Sequence, residues 1–411
     1  MPFDETIDRS TAAKPFEPTT SGSNQIRVRA YNERLILDLV RRRANLSKAD
    51  IARLSGLSAQ TISVIMRSLE KDGLLMRGQP NRGRVGQPSI PMRLNPDAVY
   101  SIGIKIGRRS IEVVLIDFIG NIRHRYRKLY PYPMLKWILP SAIEGILEIE
   151  EKFTEGQRER IAGIGVATPF ELWNWSSEVG APQEQLNEWR DIDLLKVFSE
   201  KLDYPVFLQN DATSACNAEL VFGHGAQHSD YLYLFIGSFI GGGVVLNSTL
   251  YTGRTGTAGA IGPLLVQGSD GRPRSLIRSA SLIWLEHELK RRSIDTQNIW
   301  ENPDDWYDYG EALDEWIFDC ATALSQAIIS SVAIIDFSAI IIDGSFPNWV
   351  RRRIVDETNI ALNKLDHQGI LLPQVIEGTL GSQARAIGGA TLPLLSRYLL
   401  DQNVLLKEMK A

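Results

Sequence analysis

The chain has 411 residues, a net charge of −4 and an ordinary apolar content, enough for two or three domains with cores of their own. Its two cysteines, Cys216 and Cys320, stand far apart, which argues against a disulfide framework or a cysteine-rich zinc site and fits a reducing cytoplasm. The charge is uneven: residues 24–95 hold 14 Lys/Arg against 5 Asp/Glu, a surplus of nine, so the remainder carries −13. A basic module on an acidic body points to a polyanion partner at one end only.

Residues 1–23 lack periodic apolar positions, mix Pro, Ser and Thr with charge, and lack the apolar core of a signal peptide; they are expected to form a flexible tail. From Asn45 the chain reads NLSKADIARLSGLSAQTISVIMRSLEKDGLLMRG. Its apolar positions Ile51, Leu54, Leu57, Ile62, Ile65, Leu69 and Leu74 fit short helices separated by a tight turn. Ala52 is small where two helices cross, Gly56 supplies a left-handed turn residue, and Ser58 can cap the following helix. This is helix-turn-helix spacing, in which the second helix, about 58–71, enters the major groove. Gln60 can pair bidentately with adenine, the hydroxyls of Ser58, Thr61 and Ser63 can reach bases or phosphates, and Arg67 is placed for the DNA backbone. The next stretch, GLLMRGQPNRGRVGQPSIPMRLN, predicts two short strands around a Gly-, Pro- and Arg-rich wing. There Arg82 and Arg84, with Arg77 as a further candidate, suit phosphate or minor-groove contact. The bland alternatives are a three-helix module that docks another protein and an ordinary solvated hairpin.

Two later segments share a plan. Residues 99–127 and 231–251 each read as strand, Gly-containing turn, strand and further extended chain, which predicts two related α/β lobes facing each other across a cleft. Between them, IAGIGVATPF (161–170) and YPVFLQNDATSACNAELVFG (204–223) are strands that end in a loop and at Asn210-Asp211, and the carboxyl ends of strands are where α/β folds hold ligands. Taken locally, the alternative for Asn210-Asp211 is a helix cap. The run AIISSVAIIDFSAIIID (327–343) is broken by Asp336 and reads as a buried helix followed by a strand, not a membrane span. AIIIDGSFP (339–347) repeats the strand-then-loop pattern, and GTLGSQARAIGGATLPLL (378–395) opens a helix whose small residues allow close packing.

With GIGVATP, QNDATSA, FIGSFIGGGVVLN, TGRTGTAGAIG, IIIDGSFP and LGSQARAIGGA in this order behind a winged helix-turn-helix, the chain resembles the ROK family of bacterial transcriptional repressors and sugar kinases. The resemblance implies an α/β fold: an N-terminal winged helix-turn-helix (24–95) followed by a two-lobed actin-like, ribonuclease H-like ATPase/sugar-kinase fold. Lobe 1 would span 96–212 with the C-terminal helix 383–400, and lobe 2, the oligomerising one, 213–382.

Kinase members carry an Asp followed by Gly-Gly-Thr in the first hairpin, whereas this chain has Lys105-Ile106-Gly107-Arg108-Arg109. Two arginines attract phosphate but do not hold magnesium, so no kinase activity is expected. Asp211 and Asn210 match the family's catalytic and sugar-binding pair; in a regulator the carboxylate simply accepts hydrogen bonds from a hydroxyl. The family's Gly-Glu-Ile-Gly-His is here Gly259-Ala260-Ile261-Gly262-Pro263 and the cysteine cluster that follows it is missing, so neither zinc nor any cofactor is expected. His224 and His228 have no third ligand and are expected to be solvated. The segment 170–194 supplies Trp173, Trp175, Arg190, and above all Glu178 and Trp189, as candidates to replace the lost sugar contacts, core positions being the alternative for the tryptophans.

The expected protein is therefore a cytoplasmic ROK-type regulator, a repressor of carbohydrate-related genes and a homodimer or homotetramer. It would bind a double-stranded DNA operator and be modulated by a sugar-like effector in the interlobe cleft. The rivals are an ATP-dependent sugar kinase fused to a DNA-binding module, and a ligand-independent DNA-binding protein whose body only oligomerises.

Overall fold

The computed structural model describes residues 24–43, 46–79, 90–175 and 180–400. The N-terminal part contains three helices, α1 (Asn24–Arg42), α2 (Lys48–Ser55) and α3 (Ala59–Lys71). Local chemistry sets their ends. Ser47 and Asp50 form a reciprocal capping box at the start of α2, with Asp50 N 3.1 Å from Ser47 Oγ and Ser47 N 3.2 Å from Asp50 Oδ2. Gly56 ends α2 at φ +70°, a left-handed conformation that glycine adopts without a Cβ penalty. Ser58 then caps α3 by accepting from Thr61 N at 3.1 Å. Along α3, Ile62, Ile65, Met66 and Leu69 recur at helical spacing and are all buried. The short strands β1 (Leu75–Arg77) and β2 (Met92–Leu94) pair antiparallel, with Leu75 opposite Leu94 and both side chains buried.

This core does not stop at the module. Ile36, Leu37, Val40 and Ile51 share one cluster with Phe118, Ala218, Val221 and Leu394, so the helix-turn-helix is seated on the body by apolar burial.

The body holds two five-stranded sheets of identical plan. The first comprises β3 (Tyr100–Ile106), β4 (Ser110–Asp117), β5 (Ile122–Leu129), β6 (Ile161–Thr168) and β7 (Val206–Asn210) in the order β5-β4-β3-β6-β7. In the second, β8 (Tyr231–Ile236), β9 (Ile240–Leu246), β10 (Thr249–Tyr251), β13 (Ala339–Gly344) and β14 (Gln374–Glu377) stand in the order β10-β9-β8-β13-β14; β11 (Leu265–Gln267) and β12 (Pro273–Ser275) form a separate ribbon. In each, three strands make an antiparallel meander and two later strands add in parallel beyond the first. The two lobes expected from the repeated segments are thus present.

Helices Asp211–Phe222 and Ala384–Arg397 pack against each other and against both sheets through residues without side chains. A Cβ on Gly103 or Gly165 would meet Ala386 O at 2.1 Å or Gly389 O at 1.9 Å, and one on Gly388 would meet Ser214 O at 2.0 Å. On the other side, a Cβ on Gly243 would lie 2.5 Å from Cys216 Cβ. No larger residue fits these crossings without backbone movement. The run 327–343 is the end of the helix Gly310–Val332 followed by β13, and among the described residues no helix is long and apolar enough to cross a membrane.

Candidate effector cleft and DNA-binding surface

Strands β6 and β7 end side by side, Thr168 opposite Asn210, and their carboxyl ends open into a cavity of about 540 Å3 between the sheets. Pro169, Phe170 and Glu171 line it from one side; Phe235, Phe239, Gly241 and Gly242 line it from the other. Its volume lies within the range of small-molecule sites. The glycine-rich loop contributes Thr257, Ala258, Ala260, Gly262 and Pro263 to the wall. Gly259 sits at φ +84°, where a Cβ would be 2.6 Å from Gly243 Cα, so conformation and close approach both demand glycine there. The loop therefore supplies shape and backbone groups, while Ala260 and Pro263 present no side-chain polar atom.

Asn210 and Asp211 both reach this cavity, in different ways. Asn210 is the helix cap that the local reading allowed: its Oδ1 accepts from Ala212 N at 3.1 Å and Thr213 N at 3.2 Å. Asp211 is largely buried, and its Oδ2 lies 3.3 Å from Arg385 Nη1. Arg385 is held in turn by Ser345 Oγ at 3.1 Å and by stacking over Phe235 at 4.6 Å. Arg108 stacks over Phe239 at 4.5 Å, and burial lowers its pKa to about 10. The cleft thus offers two carboxylates, those of Asp211 and Glu171, with two guanidinium groups, an amide and aromatic faces.

Trp189 does not join them. Its helix, Gln183–Asp191, buries Leu186 and Trp189 on one face, and the indole Nε1 donates to Pro133 O at 2.7 Å inside the first lobe. The spacing of those two residues was the available signal for a core position. Trp173 is likewise partly buried against that core. The same stretch contributes Phe170 and Glu171 instead, Glu171 at a left-handed φ of 55° that is uncommon for a non-glycine residue. Glu178 lies outside the described residues. His224 is exposed, His228 is half-buried, and among the described residues no group of His, Cys, Asp or Glu is arranged to hold a metal ion.

On the N-terminal module, Gln60, Val64 and Arg67 are exposed along α3, whereas Thr61 and Ser63 are partly buried. Ser58 and Thr61 hydrogen-bond each other at 2.9 Å. Gln60 and Val64 share a groove with Arg29 and Asn32 of α1, two residues that sequence reasoning passed over. Arg77 is exposed, with its Nε 2.6 Å from Glu70 Oε1. Arg82 and Arg84 lie outside the described residues.

Sequence reasoning also missed Arg385 and Phe239. Arg385 stands within the small-residue stretch QARAIGGA, where the glycines drew the attention, and its partner Asp211 is 174 positions away.

Residues 101–276 match the ROK family, and residues 29–76 match a winged helix-turn-helix DNA-binding family. The xylose repressor of Bacillus spizizenii is 29% identical over 247 residues, covering 59% of this chain and 62% of the repressor's own length. The fold is similar to that of a ROK family transcriptional regulator, a homologue of the Escherichia coli MLC protein, with a TM-score of 0.61, 18% identity, and coverage of 93% of this chain and 100% of that one. It is also similar to a ROK family glucokinase from Streptomyces griseus in complex with glucose and AMPPNP, with a TM-score of 0.55, 20% identity, and coverage of 71% of this chain and 98% of that one.

Proposed function

We propose, from the premise that the chain carries a ROK-family domain behind a winged helix-turn-helix, that it is a sugar-responsive transcriptional repressor acting on carbohydrate-related genes. In this reading α3 lies in the major groove, with Gln60 reading bases and Ser58, Thr61, Ser63 and Arg67 contacting bases or backbone. The wing arginines Arg82 and Arg84 add phosphate contacts. The effector binds between the lobes on Asn210 and Asp211, and Glu178 follows the same cleft-facing strand. The matching repressor's name supports this reading, but the observation that carries it is that one helix reaches both functions. At the N-terminus of Asp211–Phe222, Asp211 lines the cleft; in its last turn, the Val221 carbonyl accepts a hydrogen bond from Arg41 of α1. Twelve residues at 1.5 Å each make this a rod of about 18 Å between effector and DNA module. A ligand that shifts Asp211 relative to Arg385 moves the seat of α1, and differential affinity for two arrangements is all that linkage requires.

Phosphoryl transfer is not part of the proposal. Where a kinase needs a metal-binding acid, the last residue but one of β3 is the buried Lys105, whose Nζ donates to Ser110 Oγ at 2.7 Å. Assembly into a homodimer or homotetramer through the second lobe is supported by its exposed apolar side chains, Leu265, Tyr307, Phe318, Ile334 and Leu371.

The test is Asp211→Ala in sugar titrations of the full chain. A hydrogen bond to a charged group contributes about 1.5–3 kcal/mol, so effector affinity should fall about ten- to a hundredfold while effector-free operator binding stays within twofold. Unchanged affinity would place the effector site elsewhere.

A further inference from the structure

At the deep end of the cleft, past Arg108 and Arg385, lies a second cavity of about 40 Å3 whose lining these two residues share with the first. Six basic side chains surround it, Lys105 and the five arginines Arg108, Arg109, Arg125, Arg127 and Arg385, against the single carboxylate of Glu112. Three have acidic partners. Arg125 Nε is 2.9 Å from Glu112 Oε1, Arg109 Nη2 is 3.5 Å from Glu286 Oε2, and Arg385 is paired with Asp211. The other three, Lys105, Arg108 and Arg127, make no ion pair among the described residues. Lys105 is only 6% exposed and reaches Ser110 alone, and Arg127 donates to the carbonyls of Trp300 and Glu301. Arg108 stacks over the Phe239 ring and feels the charge of Asp211 without forming an ion pair with it. In addition, the Nε atoms of Arg108, Arg109 and Arg385 are buried with no acceptor.

Crowding unpaired cations at low dielectric is unfavourable in the empty protein, and buried donors without acceptors cost more still. Both penalties vanish when an oxyanion enters. A water needs roughly 10–15 Å3 of such space, so the cavity accommodates about three oxygen-sized groups, enough for one phosphoryl group and too little for a sugar ring. Guanidinium forks match phosphate geometry, and the ring-sized space lies next door, above Asn210 and Asp211.

We infer that this cation-lined cavity is an anion subsite, and that the effector of the proposed regulator is a phosphate monoester of a sugar, its ring in the outer cleft and its phosphate among Arg108, Lys105 and Arg127. The inference rests on the reading of the outer cleft as the effector site, and it adds the chemical class of the ligand.

The experiment uses the full chain and four probes: a neutral hexose, its 6-phosphate, the corresponding hexuronate and inorganic phosphate, each titrated calorimetrically against the parent, Arg108→Gln and Asp211→Ala. The parent should bind the 6-phosphate about ten- to a hundredfold more tightly than the hexose. Arg108→Gln should remove most of that preference. Because burial outweighs the attraction of Asp211 at Arg108, Arg108→Gln should also melt, without ligand, at the same temperature as the parent or higher. A hexuronate that matches the 6-phosphate would overturn the assignment to phosphate, since a carboxylate would then suffice. Equal affinities for hexose and 6-phosphate, with Asp211→Ala weakening both, would overturn the anion subsite and leave the regulator reading standing. Inorganic phosphate bound by the parent and lost in Arg108→Gln, with no hexose binding, would support the subsite and sink the sugar-cleft reading. Phosphate binding that survives Arg108→Gln unchanged would also overturn it.

Discussion

Gln60 stands exposed in the first turn of α3, one residue from the Ser58–Thr61 hydrogen bond that fixes the start of the helix. A bidentate amide–adenine pair contributes about 1–3 kcal/mol of discrimination, so Gln60→Ala should weaken specific operator binding about five- to a hundredfold and random-duplex binding hardly at all. Equal losses on both DNAs in anisotropy titrations would remove Gln60 from base reading. Lys105 yields a pH prediction. Burial, and then the Arg385 charge, push its pKa from 10.5 down to about 7, against the smaller opposing pull of Glu112; Arg127 adds to the lowering and Asp211 opposes it. Between about pH 7 and 10.5 the folded chain holds Lys105 neutral while the unfolded chain holds it protonated. The unfolded state therefore binds more protons, and stability rises with pH across that window. Relative to Lys105→Met, the parent should gain about 2 kcal/mol between pH 7 and 9 in urea unfolding, and parallel curves would contradict it. The residues differ in how far the sequence discloses them. Ser47, Gly56 and Ser58 act on neighbours two to four positions away, so their roles can be read locally. The Asp211–Arg385 pair joins distant segments and leaves no local trace. Trp189 misleads because a tryptophan among cleft-facing candidates looks like a sugar platform until its spacing from Leu186 is weighed.

At the scale of elements, the helix Asp211–Phe222 is buried almost all round, its polar Asp211, Thr213, Ser214, Asn217 and Glu219 included, which marks it as an interior strut. Its start at Asn210-Asp211 is apparent from the sequence. What it touches is not, because the contacts depend on Gly241, Gly243 and Gly388 meeting Ala212, Cys216 and Ser214 across a three-dimensional crossing. The two-lobe plan was more accessible, since a repeated order of strand and turn survives in sequence even where individual residues diverge. Arg41 tests the strut directly. Its side chain is buried, pairs with Asp38 at 2.5 Å and donates to Val221 O, while Asp38 keeps Arg42 at 2.7 Å if Arg41 is removed. Arg41→Gln should therefore leave effector affinity and effector-free operator affinity within about threefold but reduce the factor by which effector changes operator affinity. Coupling energies of this kind typically run about 1–3 kcal/mol, and the variant should lose most of its share. A coupling factor equal to the parent's would show that the signal bypasses this contact.

At the scale of the whole molecule, a basic DNA module shares its apolar core with an acidic two-lobed body, and the cleft between the lobes borders the helix on which the module rests. The central claim is that occupancy of the cleft and affinity for the operator are linked in one chain. Linkage is reciprocal: whatever factor the sugar applies to operator binding, the operator applies to sugar binding. The most direct measurement is a two-way titration of the full chain, following operator binding by anisotropy with and without saturating sugar ligand, and ligand binding by calorimetry with and without operator. The account predicts a change of at least about fivefold, the same in both directions and abolished in Asp211→Ala. A ligand that calorimetry shows bound in the cleft, yet that leaves operator affinity unchanged, would contradict it.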